Sequence, residues 1–209
     1  MIKFKKIKLF SRGNICYCDV LDGKNNFEII LHFDIVLKYS LKNGLEVDNE
    51  TYQSIIYDNS LLKAKNLSYT FASYKMRTQY EVEKRLKQNS YDDKIIAECI
   101  SFLYEFKLLD NENYANLFVK EKSLSKNWGK IRIKNELLNK GVNENIILNA
   151  IDNFFPNDES FEKAIKIAKK KYDTLLKRHD DKKSKQLLFA FLARRGFETS
   201  KIKEIIENI

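Results

Sequence analysis

The side chains able to do covalent or acid–base chemistry are few and scattered. His32 falls in an alternating, strand-like segment and His179 in the charged run Lys177-Arg178-His179-Asp180-Asp181. Neither has a metal-ligating residue four positions on. Asp180 beside Asp181 resembles a carboxylate pair for metal-dependent phosphodiester chemistry, but adjacent residues on a helix do not share a face. The flanking lysines mark a solvated helix cap instead. Phosphate-cradling motifs of the GxxxxGK[ST] or GxGxxG type do not occur. Cys16, Cys18 and Cys99 are odd in number, and the first two stand too close for CxxC chemistry. They read as reduced structural thiols, so the expectation is a protein that is not an enzyme and needs no metal or cofactor.

Charge is the stronger signal. The 209 residues hold 38 Lys plus Arg against 29 Asp plus Glu, a net +9, and the excess is uneven. Val119 to Lys140 carries seven basic residues against two acidic, and Ser160 to Arg195 twelve against four, whereas the first 50 residues carry eight against seven. Lys130, Arg132, Lys134 and Lys140, then Lys182, Lys185, Arg194 and Arg195, could line one surface that attracts phosphate or an acidic protein groove. The competing reading is a set of ordinary solvated helix faces. Trp128, between Lys126 and Lys130, is either a packing anchor or a rim aromatic that stacks on a partner. Phe102, Phe106, Phe154, Phe161 and Phe189 fall at apolar helical spacing and are expected in the core.

Two kinds of element must position these residues. Near the N-terminus apolar residues alternate, with Ile15 and Tyr17 opposite Cys16, Cys18 and Val20, then Phe27, Ile29, Leu31 and Phe33. Period two predicts strands, and Asp22-Gly23 suits the hairpin between them. A short helix follows, capped by Asp34 and stopped near Gly44, and Leu45 to Val47 returns to the sheet. From Asp48 onward Gly and Pro almost vanish and apolar residues recur three and four apart, which predicts helix throughout.

An internal repeat organises that helical part. Leu86, Leu137 and Leu192 stand 51 and 55 residues apart in similar surroundings, and the columns continue as Ile96, Ile147, Ile202, then Cys99, Ala150, Ile205, then Ile100, Ile151, Ile206. Each unit reads as two helices around a tight turn at Ser90, Gly141 or Gly196, with a further helix before them, such as Tyr114 to Lys122 or Phe161 to Leu176. The predicted fold is mainly α: three tandem three-helix repeats in an elongated, curved array, preceded by a small β-rich domain. The expected limits are 1–47 for the β-rich domain and 48–109, 110–156 and 157–209 for the repeats, with Pro156 and the N-cap Asp158 marking the last boundary. No apolar run reaches the roughly 20 residues of a membrane span, and no secretory signal is readable, so a cytoplasmic location is expected.

Trp128-Gly129-Lys130-Ile131-Arg132-Ile133-Lys134-Asn135-Glu136-Leu137-Leu138-Asn139-Lys140-Gly141-Val142 resembles a segment of the RecX regulatory proteins that runs from a Gly through a basic helix and Glu-Leu to Lys-Gly-Ile. Leu109-Asp110-Asn111-Glu112-Asn113-Tyr114-Ala115 and Leu192-Ala193-Arg194-Arg195-Gly196-Phe197 resemble two further family segments, and Arg77, Val82 and Leu86 fit the first-repeat pattern. Phe27 through Leu37-Lys38-Tyr39 to Lys42-Asn43-Gly44-Leu45 is similar to the β-containing extension of longer members. The chain departs from the pattern at Met76, where Pro is common, at Thr78, where Ser is, and at Asn111, which replaces a second Asp.

The resemblance implies a non-catalytic modulator of the RecA recombinase, acting in DNA repair and the SOS response. Such a protein lies in the groove of the RecA–single-stranded DNA filament and lowers its ATPase, strand-exchange and co-protease activities. The expected partners are that filament and single-stranded DNA, with duplex DNA as a further candidate, and the chain is expected to be a monomer. The candidate filament contacts are Arg77, Arg85, Lys126, Trp128, Lys130, Arg132, Lys134, Lys140, Lys182, Lys185, Arg194 and Arg195, held by structural turns at Gly141 and Gly196. Two rivals are a stand-alone nucleic-acid-binding module that acts without RecA, and a nuclease built on Asp180, Asp181 and a third carboxylate.

Overall fold

The N-terminal segment folds into β1 (Ile2–Phe10), β2 (Ile15–Asp22), β3 (Asn25–His32), α1 (Phe33–Lys38) and β4 (Glu46–Val47). The computed structural model describes residues 1–10, 14–155 and 159–209; Pro156 and Asp158, the expected boundary markers, lie outside the described residues. The sheet is antiparallel in the order β3-β2-β1-β4. Cys16, Cys18 and Val20 face its core with Phe4 and Leu31, as the alternation predicts, and Gly23 adopts a left-handed φ of +58° in the hairpin.

Three details differ from the sequence reading, each for a local reason. Phe33 belongs to α1 rather than to a strand. The cap of α1 is His32, not Asp34: the His32 ring accepts the Asp34 N–H at 3.3 Å. Here Asn59 fixes the His32 N–H at 2.8 Å, so the last strand residue also becomes the cap. The helix stops at Lys38 rather than near Gly44, because Ser40 takes φ +50° and the Leu41 N–H returns to the Val36 carbonyl. Gly44 serves the turn into β4, donating to the Phe4 carbonyl at 2.7 Å.

Nine helices follow β4 among the described residues. They are α2 (Asn49–Tyr74), α3 (Gln79–Lys87) and α4 (Asp93–Glu105); α5 (Asn111–Lys126), α6 (Lys130–Asn139) and α7 (Glu144–Phe154); α8 (Glu159–Leu176), α9 (Asp181–Arg194) and α10 (Thr199–Glu207). The repeat columns are core columns: Leu86, Leu137, Leu192, Ile96, Ile147, Ile202, Cys99, Ala150 and Ile205 are all buried. The second helix of each triplet ends in the same way. Residues Ser90, Gly141 and Gly196 adopt φ of +61°, +69° and +82°. Their N–H groups donate three residues back, to Lys87, Leu138 and Ala193. The next residues, Tyr91, Val142 and Phe197, donate five back to the Leu column. This is the Schellman arrangement, which satisfies carbonyls that a helix end would otherwise leave unpaired.

The helix α2 serves two neighbourhoods. Its first half packs Tyr52, Ile55 and Ile56 against the sheet core, and its second half buries the small residues Ala64, Ser68 and Ala72. Both halves of α2 lie in one compact unit, residues 1–75 with 82–108; residues 76–81 with 109–209 form the other. One phenylalanine disagrees with expectation, Phe106 at 58% exposed; Phe102 is half-buried, and Phe154 and Phe189 are half-buried against the cores of the second and third repeats. The buried rings of the second and third repeats are instead Phe118, Phe155 and Tyr172, packed with the Ile and Leu of the columns. Phe161 lies outside the residues whose side chains are described.

Candidate functional site

Several of the predicted site residues of the second unit, Arg77, Trp128, Arg132, Lys140 and Arg195, fall at two joints, where the turn of one repeat docks on the start of the second helix of the repeat before it. At the first joint, Thr78 and Glu81 cap α3 reciprocally: Thr78 N–H donates to Glu81 Oε2 at 3.2 Å and Glu81 N–H to Thr78 Oγ1 at 3.2 Å. That is a capping box. The Thr78 hydroxyl donates to the Lys140 carbonyl at 2.8 Å, and Lys140 Nζ lies 2.7 Å from Glu81 Oε1. Lys140 also sits over the Tyr114 ring at 5.8 Å. Asn111 accepts the Gln79 N–H at 3.3 Å, and Arg77 bridges Leu109 through the backbone. A Cβ at Gly141 would collide with Cβ and Cγ of Tyr80.

Electrostatics at this joint are balanced. Burial alone would raise the Glu81 pKa, but the bonds from Lys140 and the Thr78 N–H, with the Arg77 charge, outweigh it and hold Glu81 below its ordinary range. Burial would lower Lys140, and the Glu81 carboxylate and Tyr114 hydroxyl raise it instead.

The second joint repeats the backbone plan with different charges. Gly129 N–H donates to the Arg195 carbonyl at 2.7 Å and Ile131 N–H to the Gly196 carbonyl at 3.1 Å. The approach is so close that a Cβ on Gly129 would overlap the Gly196 carbonyl. Arg132 stacks on Trp128 at 4.1 Å and donates to the Arg194 carbonyl at 3.0 Å. Arg195 lies over Phe191 at 4.6 Å and donates to the Lys126 carbonyl at 2.5 Å. Trp128 is half-buried, meets Phe118 edge-on at 6.4 Å and carries Arg132 over its ring.

The other candidates are dispersed. Lys134 pairs with Glu144 at 2.6 Å, Lys130 lies over Phe155 at 5.7 Å, and Lys185 pairs with Asp181 at 3.3 Å on its own helix. Lys126, Lys182 and Arg194 are exposed, and so is Arg85 in the other unit. Asp180 caps α9 by accepting the Lys183 N–H at 2.7 Å, and Asp181 accepts the Tyr172 hydroxyl. No group of three or more His, Cys, Asp or Glu able to hold a metal occurs among the described residues. All three cysteines are free and buried, and burial pushes the Cys18 thiol up to about 12. No helix of the described residues is long and apolar enough to cross a membrane.

Missing from the candidates were Glu81, Tyr114 and Phe191, the partners of Lys140 and Arg195. The Thr78-x-x-Glu81 box was visible in the sequence. The 51-residue offset further places Glu81 in register with Arg132, and the 55-residue offset places Lys140 in register with Arg195.

Comparison with known proteins accounts for these repeats. Family models described as the first, second and third three-helix domains of RecX match residues 64–103, 110–151 and 157–206, in order and over more than half of the chain. The chain belongs to the RecX family. The regulatory protein RecX of Clostridium acetobutylicum is 32% identical over 187 residues, which cover 88% of this chain and 86% of that relative. The regulatory protein RecX of Clostridium perfringens strain 13 is 30% identical over 177 residues, covering 84% and 82%. Among solved structures, the crystal structure of a regulatory protein RecX superimposes over 100% of both chains with a TM-score of 0.71 at 22% identity, a likeness of fold. RecX from Lactobacillus salivarius gives a TM-score of 0.63 at 26% identity, over 72% of this chain and 97% of that one. The relatives carry the name of regulatory proteins, and the first RecX domain begins within α2, leaving the sheet and the first part of that helix as a preceding extension.

Proposed function

We propose that this protein is a non-catalytic regulator that binds the RecA–single-stranded DNA filament and lowers its recombinase, ATPase and co-protease activities in DNA repair and the SOS response. The observation that carries the reading is the ordered match to all three RecX domains. Control comes from differential binding to filament states, since a ligand shifts an equilibrium only by its difference in affinity for the two states. The exposed cations Arg85, Lys126, Lys182 and Arg194 are the best placed of the candidates to meet a partner, because their ammonium or guanidinium groups make no ion pair among the described residues. The protein acts as a cytoplasmic monomer, and the repeat limits 48–109, 110–156 and 157–209 are part of the same proposal.

Co-sedimentation with preassembled RecA filaments tests this. The chain pellets with filaments at concentrations where naked single-stranded DNA does not retain it; retention by naked DNA alone refutes the reading. The second reading, a nucleic-acid binder that acts without RecA, is favoured by one observation, the cationic second joint.

A further inference from the structure

The two joints share a backbone plan and differ in one charge. Three residues into the second helix, counted from the cap, the first repeat has Glu81 and the second has Arg132. Opposite them the docking turns supply Lys140 and Arg195. The first joint therefore closes on an ion pair at 2.7 Å, whereas the second brings two guanidinium groups, one held by the Arg194 carbonyl and one by the Lys126 carbonyl, within reach of each other's charge. Neither Arg132 nor Arg195 makes an ion pair among the described residues. Lys126 and Arg194, whose carbonyls hold the two guanidiniums, add exposed positive charge.

We propose that Arg132 and Arg195 form a phosphate-binding site, in which a bound oxyanion takes the place that the Glu81 carboxylate holds in the first joint. A guanidinium presents five donors in a planar fork, and each of these two has given one edge to a backbone carbonyl and one face to an aromatic ring. Their orientation is thereby fixed while donors remain for an anion. The α6 helix start is not itself the site, because the Gly129 and Ile131 N–H groups are consumed by the Arg195 and Gly196 carbonyls. Burial first, then the charge of Arg132, lowers the pKa of Arg195, the direction expected of a cation that lacks an acid. A phosphate fits better than a single carboxylate, since two guanidinium forks serve the position and phosphate offers more acceptor oxygens and more charge. The same chemistry comes from free phosphate or from the backbone of a nucleic acid.

The test uses the full chain without RecA, so its failure is separable from failure of the proposed function. Thermal unfolding is measured in sodium phosphate and in sodium chloride at equal ionic strength, and a labelled oligothymidine is titrated in parallel. Phosphate at about ten times its dissociation constant raises the midpoint of the wild type by about 3–6 °C. Arg132→Glu writes the acid of the first joint into the second at the cost of the Trp128 stack and the Arg194 carbonyl bond, and this variant no longer responds to phosphate. Arg195→Gln, which leaves α6 untouched, also loses the response and guards against misfolding of the first variant. If the occupant is a nucleic-acid phosphate, oligothymidine binding weakens about tenfold in both variants, the slope of log affinity against log salt shrinks by about 0.7 for each phosphate no longer neutralised, and phosphate competes. A phosphate-specific shift with unchanged oligothymidine binding supports the site and assigns it to the free ion. Equal phosphate and chloride midpoints, with oligothymidine binding the same in wild type and variants, overturn the proposal.

Discussion

Glu81 shows how much one residue does at a joint. It returns a cap to α3, accepts Lys140 and lies beside Arg77, and with three-quarters of its side chain covered it is poorly screened by water. Its folded-state pKa is lowered, so as pH falls the unfolded chain takes up the proton first, and proton uptake then favours unfolding. The stabilisation is complete above the ordinary glutamate range near about 4.3 and fades as pH drops through the lower folded value. Glu81→Gln is expected to cost about 1–2 kcal/mol at neutral pH, between the values for exposed and fully buried pairs, and to flatten the acid limb of the stability curve. Denaturant unfolding of both proteins at pH 7 and pH 3 checks this; an equal difference at the two pH values would show that the ion pair contributes nothing. The cap was legible as Thr78-x-x-Glu81. The ion pair was not, because Lys140 lies 59 residues on and only the repeat register brings it back.

At the scale of elements, the turns were the most legible feature. Gly141 and Gly196 stand where the backbone turns left-handed, and Ser90 manages the same conformation without a glycine. Gly141→Val is expected to cost more than the roughly 1–2 kcal/mol of left-handed strain alone, because the new side chain also meets Tyr80. Replacing Ser90 by Gly should instead leave the melting midpoint unchanged or raise it. Less legible was β1. Lysines 3, 5, 6 and 8 interrupt its apolar positions, and an irregularity between Phe4 and Lys6 shifts the alternation partway along. The edge of β3 was also invisible in the sequence, since its partner is a side chain. Asn59 accepts the His32 N–H at 2.8 Å and donates to the Ile30 carbonyl at 3.1 Å, imitating a neighbouring strand, and Lys63 donates to the same carbonyl. An unpaired strand edge is a template for association. Asn59→Ala should cost about 1–3 kcal/mol and increase self-association, measured by unfolding and by light scattering. A variant equally stable and equally monodisperse would show that the edge needs no cover.

For the whole molecule, the net charge of +9 and the family together bear on function, and the sequence carried both. What composition could not separate was structural from available charge. Arg132, Lys134, Lys140, Lys185 and Arg195 are each engaged by a carbonyl, a carboxylate or a ring, so changing Arg132, Lys134 and Lys140 together to Glu would disturb the joints as well as the surface. Changing the exposed Lys126, Lys182 and Arg194 to Gln should leave the midpoint of unfolding within about 1 °C, as surface substitutions do. The same change should weaken filament binding severalfold. Screening confines exposed charge to about 8 Å at physiological salt, so a contact made by these residues weakens steeply as salt rises. The most direct test of regulation is RecA ATPase on single-stranded DNA, titrated with this chain at low and at moderate salt while the filament itself stays intact. The ATPase should fall at concentrations too low for the chain to bind the DNA alone, with an inhibition constant that rises steeply between the two salts. An unchanged ATPase, or a fall only where the chain already saturates free DNA, would contradict the account.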